Sequence, residues 1–148
     1  MKPEILIKED SIDTVVKVNK TIIEFDKPYD KKYFEDKYQN SNKLILVAYI
    51  NDYPVGYTVS YDRDKDGSFY CWMAGVNPEF RRLGILNKLM EYLYHWAKNR
   101  GYKKIKIKTR NNRREMLSFL VKSGFNFIEV EPWSYVKDNR ILLEKQFN

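Results

Sequence analysis

Between Leu44 and Arg100 the chain changes its hydrophobic period once, and that change limits the fold more than any other feature. Leu44 to Ile50 is a nearly continuous apolar run, and Val55 to Tyr61 and Ser68 to Val76 follow it at short intervals. Asn51-Asp52 makes a tight turn, and Asp64-Lys65-Asp66-Gly67 is a strong hairpin signal. Strands joined this closely form an antiparallel meander. Pro78 then ends extended pairing, because proline has no N–H to give a ladder. From Gly84 the apolar residues Ile85, Leu86, Leu89, Met90, Leu93, Trp96 and Ala97 recur at helical spacing. Lys98 and Arg100 suit the C-terminus of that helix, and Gly101 supplies a left-handed stop.

The flanking segments complete the pattern. Residues 4–8 read as a short strand, and Asp10 or Ser11 caps a helix with Asp13 in its first turn. Pro28 interrupts, and residues 30–39 form a second short helix with Tyr33, Phe34 and Tyr38 on one side. Downstream, Ile105, Ile107 and Thr109 alternate with Lys104, Lys106, Lys108 and Arg110, a strand with one charged face. Asn112 with Glu115 resembles a capping box and opens a helix through Met116, Leu117, Leu120 and Val121 that ends at Gly124. Residues 125–130 and 140–147 read as closing strands. The order β-α-α-β-β-β-α-β-α-β-β predicts an α+β fold, a mixed α/β sheet in one domain over residues 1–148.

Composition enters where partners are concerned. Lys plus Arg number 27 against 20 Asp plus Glu, a net +7 that suits an anionic partner such as a polyphosphate cofactor and equally suits plain solubility. The Lys104-Lys106-Lys108-Arg110 face is expected to be solvated. No aromatic RNA-binding signature or recognition helix accompanies it, so no nucleic-acid partner is expected. Cys71 is the single cysteine, which excludes an internal disulfide, fits a cytoplasmic location and reads as a small buried hydrophobe. With His95 the single histidine, no His/Cys metal cluster is expected. No apolar run has the length of a membrane span and the N-terminus has no signal-peptide core, so no membrane partner is expected. Edge strands leave room for a homodimer.

The chemistry concentrates at Arg81-Arg82-Leu83-Gly84-Ile85-Leu86. A strand ends before it and a helix opens within it, so free backbone N–H groups sit beside two arginines and a flexible glycine. An exposed anion there gains about 0.3–1 kcal/mol from the helix dipole. Taken alone, the run fits an ordinary strand-to-helix turn as well.

Its Arg-x-x-Gly-x-small arrangement resembles the acyl-CoA pyrophosphate loop of the GNAT N-acetyltransferase superfamily. Ser118 to Phe125, ending in Gly124-Phe125, resembles that family's second cofactor-side segment. Phe69 to Val76 and Lys108-Thr109-Arg110-Asn111 are similar to an uncharacterised bacterial branch of it. The resemblance implies acetyl-CoA as donor and a small-molecule or peptide amine as acceptor, attacked directly in a ternary complex. It places the pantetheine arm along Ala74, Gly75 and Val76, with an N–H near Val76 for the oxyanion. The pyrophosphate falls to Arg81, Arg82, Leu83, Gly84, Ile85 and Leu86. Asn112 either lies near the far end of the pantetheine or caps its helix.

A lysine-like amine is only roughly one part in 10³ neutral at pH 7, so a base is needed, and Glu24 is the candidate. Tyr29, Tyr70 and Trp72 are expected to wall the acceptor and Trp133 to cover it. The sequence departs from the family pattern in three places. Leu86 stands where Gly or Ala is usual, and Leu120 stands where many members place a tyrosine that protonates the leaving thiolate. Tyr70, Cys71 and Trp72 occupy the strand that often carries a carboxylate. Losing one such group typically costs about 10²–10⁴ in rate. Two functions therefore stand side by side: an amine acetyltransferase, and a non-catalytic acyl-CoA-binding module on the same fold.

Overall fold

Alternation in β2 (Lys43–Ile50) shows how the sheet is covered. Leu44, Leu46, Ala48 and Ile50 enter one buried cluster, while Val47 enters a second on the other side with Ile45 and Tyr49 against it. A strand buried on both faces needs helices on both, and the computed structural model, which describes residues 3–22 and 29–147, supplies them.

Short loops between β2, β3 (Tyr53–Tyr61) and β4 (Ser68–Val76) make the expected antiparallel meander. β1 (Leu6–Glu9) pairs antiparallel with β2 at one edge. α1 (Ile12–Asn19) and α2 (Lys31–Tyr38) pack on one face through Ile12, Val15, Val18, Phe34 and Tyr38. α3 (Ile85–Asn99) crosses the opposite face and leads to β5 (Lys104–Arg110), which runs parallel to β4. α4 (Arg114–Lys122), β6 (Asn126–Glu131) and β7 (Arg140–Gln146) complete a seven-stranded sheet in the order β1-β2-β3-β4-β5-β7-β6. The element order is the one the sequence predicts.

α3 is fixed by its apolar stripe. Leu89 and Leu93 are fully buried, each contributing about 1.5–3 kcal/mol against solvent exposure. Gly56 on β3 is required for that approach, since a Cβ there would stand 2.9 Å from Ile85 Cγ2. One local expectation fails. Arg113, not Asn112, is the N-cap of α4, and no side chain caps it. The backbone of Asn111 and Asn112 is drawn instead into the loop before β7, donating to the Asn139 and Lys137 carbonyls at 2.8 and 3.0 Å. That tertiary pairing takes precedence over the capping box.

Candidate functional site

β4 and β5 pair only over Ser68–Cys71 and Lys104–Ile107. Beyond Cys71 and Ile107 they part, and the gap opens into a cleft of about 1330 Å³ that passes between the two faces of the sheet. On the α3/α4 side its walls include Ala74, Val76, the start of α3, Thr109 and Met116. On the α1/α2 side they include Ile22, Tyr29, Tyr33, Tyr70 and Trp72.

A bulge prepares the wall that β4 presents. Its pairing with β3 jumps from Ser60↔Cys71 to Val59↔Met73, so Trp72 is an inserted residue. Trp72 and Met73 consequently both pack on the α1/α2 cluster, and Ala74 and Val76 turn to the α3/α4 cluster. At the strand's end Asn77 N–H donates to the Val55 carbonyl at 2.8 Å. This makes Gly56 and Val76 a non-hydrogen-bonded pair, so the Val76 N–H and C=O point away from β3 and toward the gap. The Val76 carbonyl accepts a bond from Arg81 Nε at 3.3 Å. Gly75, between Ala74 and Val76, has no room for a side chain: a Cβ would overlap Ile22 Cδ1 and stand 3.0 Å from Tyr57 Cε1.

The loop from Arg81 to Leu86 reaches α3 through two left-handed residues, Arg82 at φ 67° and Gly84 at φ 84°. A Cβ at Gly84 would meet nothing within 4 Å, so its glycine answers to backbone angle and to open space in front of the helix. The first helical bond is Lys88 N–H to the Gly84 carbonyl at 3.1 Å. The N–H groups of Ile85, Leu86 and Asn87 therefore face the cleft end of α3 without intrahelical acceptors. Arg81 is half-buried; Arg82 is exposed and lies 4.0 Å from Glu115 across the mouth. A helix N-terminus with two guanidinium groups is built for a polyanion. Leu86 packs partly against the core, which leaves the backbone of the turn accessible despite its bulk.

Of the residues expected to hold the cofactor, Ala74, Gly75, Val76, Arg81, Arg82, Gly84, Ile85, Leu86 and Asn112 all line the cleft; Leu83 packs against the core instead. Tyr29, Tyr70 and Trp72 also line it. Tyr29 and Tyr33 stack at 4.3 Å between ring centroids, and the Arg63 guanidinium covers Tyr70 at 3.7 Å. Burial pushes the Tyr70 phenol up to about 12, so it stays neutral at physiological pH. Trp133 does not line the cleft. Its exposed ring lies under the guanidinium of Arg140, 3.8 Å from Cζ, and it is Arg140 that reaches the cavity. Glu24 lies outside the described residues. Its flanks are fixed at the cleft: Ile22 is buried against Gly75, and Tyr29 N–H donates to Asn19 Oδ1 at 3.2 Å. Asn19 itself is buried and donates to the Tyr57 hydroxyl at 2.8 Å, tying α1 to β3.

Sequence reasoning missed Asn19, Arg140 and Met116, while Ser118 and Phe119 belong to the segment read from sequence as cofactor-side and do line the cleft. In the sequence Asn19 carries no signal beyond that of a polar residue, and nothing there shows that β7 opposes β5. Cys71 is fully buried, and burial pushes its thiol up to about 12, which excludes a thiolate nucleophile at neutral pH. Leu120 is fully buried and offers no proton. The charged face of β5 is matched by carboxylates, with Lys104 on Glu144, Lys106 on Asp66 and Lys108 on Glu131, each at 3.0–3.1 Å. No helix among the described residues is long and apolar enough to cross a membrane.

The family model of the acetyltransferase (GNAT) family matches residues 15–125. Among solved structures, the ribosomal-protein-S18-alanine N-acetyltransferase of Escherichia coli superposes with a TM-score of 0.82 at 15% identity, covering 97% of this chain and 94% of that one. Arabidopsis thaliana Naa50, solved with the bisubstrate analogue CoA-Ac-MVNAL, gives 0.77 at 19% identity over 97% and 99%. A GNAT family acetyltransferase from Elizabethkingia anophelis with acetyl-CoA bound gives 0.73 at 22% identity over 97% and 98%.

Proposed function

The chain belongs to the GNAT acetyltransferase family, and we propose that it transfers an acetyl group from acetyl-CoA to a primary amine by direct attack in a ternary complex. The observation that carries this reading is the parting of β4 and β5 in front of the α3 N-terminus. It offers an outward-facing strand edge for an amide-bearing arm and a nest of N–H groups for a pyrophosphate. The Elizabethkingia protein holds acetyl-CoA, and the Arabidopsis protein binds an analogue joining CoA to an acetylated peptide, which supports the same donor and an amine acceptor here.

In the reaction the amine nitrogen gives its lone pair to the thioester carbonyl carbon, and the carbonyl oxygen becomes an oxyanion facing the Val76 N–H. Collapse breaks the carbon–sulfur bond, releasing CoA thiolate and the N-acetylated product. The proton lost by the amine passes to Glu24, directly or through water, since a positioned carboxylate keeps part of the amine neutral. Leu120 supplies no proton to the thiolate, so solvent does, and positioning provides most of the acceleration. The protein works in the cytoplasm. The exposed β6 edge with Phe127, Ile128 and Val130 offers a second copy a surface for homodimer pairing.

The test is calorimetric titration with CoA and acetyl-CoA, followed by CoA release against a broad amine panel. Micromolar to millimolar binding with turnover that falls in Glu24→Gln is expected; no binding at millimolar ligand overturns the reading. The absence of both a tyrosine at Leu120 and a carboxylate at Tyr70-Cys71-Trp72 favours a second reading, a non-catalytic acyl-CoA-binding module. Binding without turnover across the panel, indifferent to Glu24→Gln, would select it.

A further inference from the structure

On the α1/α2 side of the cleft the charges are arranged differently from the rest of β5. Arg110 and Arg140 are direct register partners on β5 and β7, so their side chains leave the same face side by side, and both line the cleft. Like charges directly opposite in an antiparallel pair repel. Lys104, Lys106 and Lys108 on that face have carboxylate partners, and the residue opposite Arg110 is another arginine. The carboxylate nearest in register to Arg140, that of Glu131 on β6, is held by Lys108 at 3.1 Å. Among the described residues no carboxylate lies within ion-pair distance of Arg140.

Arg140 is nevertheless held in place. Its guanidinium lies over the Trp133 ring, with Cζ 3.8 Å from the centroid, and Nη1 donates to the Asp138 carbonyl at 2.5 Å. Trp133 is itself fixed by its N–H, which donates to Asn139 Oδ1 at 2.8 Å. A guanidinium oriented in this way keeps a fork of donors for a planar acid at little further entropic cost. Burial, and next the charge of Arg110, push the Arg140 guanidinium below its ordinary pKa, against the smaller opposing pull of Asp138 and Glu131. Facing it stand the stacked Tyr29 and Tyr33 with Trp72, an aromatic wall.

We propose that Arg140 receives a carboxylate carried by the acceptor, so that the acceptor is an amino-acid-like compound with a free acid group near an apolar or aromatic body. This rests on the acetyltransferase reading for the word acceptor, but the anion site is a property of the cleft itself. Trp133 is on this account a positioning residue: it stacks on the guanidinium from outside the cavity.

The test is equilibrium binding to the full chain, with and without CoA, using matched pairs that differ only in the carboxylate: phenylalanine and phenethylamine, tyrosine and tyramine, tryptophan and tryptamine. The expected result is at least tenfold tighter binding of the acid member. That preference falls to about threefold or less in Arg140→Gln and to an intermediate value in Arg140→Lys, which keeps the charge and loses the fork. Trp133→Leu, at an exposed position, lowers the preference in the same direction, and circular dichroism confirms the fold of each variant. Equal affinity within each pair, binding of neither member of any pair, or a preference that survives Arg140→Gln overturns the proposal. Failure of CoA to bind while the acid preference stands rejects the acetyltransferase reading and keeps the anion site.

Discussion

The two ends of the β4–β5 pair use the same two strands for opposite purposes. At the closed end, Ser68–Cys71 and Lys104–Ile107 share a ladder, Phe69, Cys71, Ile105 and Ile107 are buried, and Lys106 reaches Asp64 and Asp66 at 3.3 and 3.0 Å. At the open end the ladder stops, Val76 turns its backbone into space, and two arginines stand opposite one another. Ladder bonds and lysine–carboxylate pairs close the first end, and the β4–β5 ladder is missing from the second. A sheet that satisfies itself at one end has stability to spare for leaving two strands unpaired and like charges side by side at the other.

If that division holds, substitutions at the closed end change stability and those at the open end change ligand binding. The largest effect is expected from Ile105→Ala, which removes a fully buried side chain and costs about 2–5 kcal/mol. Chemical denaturation should show the loss, while CoA affinity of the folded fraction holds; a matching fall in affinity would break the comparison. Next is Gly84→Val, which forces a β-branched residue into a left-handed angle at a position with no steric neighbour. About 1–2 kcal/mol of strain is expected, with CoA binding weakened roughly tenfold or more as the loop shifts to relieve it. A large drop in melting temperature with unchanged affinity would place that glycine with the core instead.

A smaller effect concerns pH. The Asp66 carboxyl is held below the ordinary carboxylate range, first by hydrogen bonds from Ser68 and then by Lys106. The folded state therefore binds fewer protons than the unfolded one between that lowered pKa and about 3.8, and stability rises with pH across the window. The contribution is complete above about pH 5 and fades on acidification. Melting curves from pH 6 to 2 should fall less steeply in Asp66→Asn than in the wild type, and parallel curves would remove the cluster from the account. The smallest expected effect is none: Cys71 in the native protein should resist iodoacetamide at pH 8 and react only on unfolding. Rapid alkylation would mean the closed end opens readily.

The closed end was the legible one. Period and turn chemistry located β4 at Ser68–Val76 and α3 at Ile85–Asn99, because alternation, Pro78 and Gly101 are all local signals. The loop at Arg81–Leu86 was legible for the same reason, since a helix start announces itself over a few residues. What escaped was set by register. Arg140 is 30 positions from Arg110, and only the pairing of β5 with β7 brings them together. The capping box at Asn112 failed because the loop before β7 claimed that backbone first. Trp133 was assigned to the cleft when its partner Arg140 occupies it, and an aromatic in a loop gives no hint of which neighbour it will support. Glu24 lies outside the described residues and stands as it did from the sequence.

The residue inserted at Trp72 acts as a phase shift. Before it, odd-numbered residues of β4 face α3 and α4; after it, even-numbered ones do. The wall of the cleft is therefore specified by a count as much as by side-chain identity. Without Trp72, Cys71 and Met73 would follow one another in plain alternation and keep their partners Ser60 and Val59, so the later residues would keep their faces and the α1/α2 wall would lose one aromatic side chain. The insertion of a single residue at this point thus adds one side chain to the α1/α2 wall of the cleft without reversing the strand that follows.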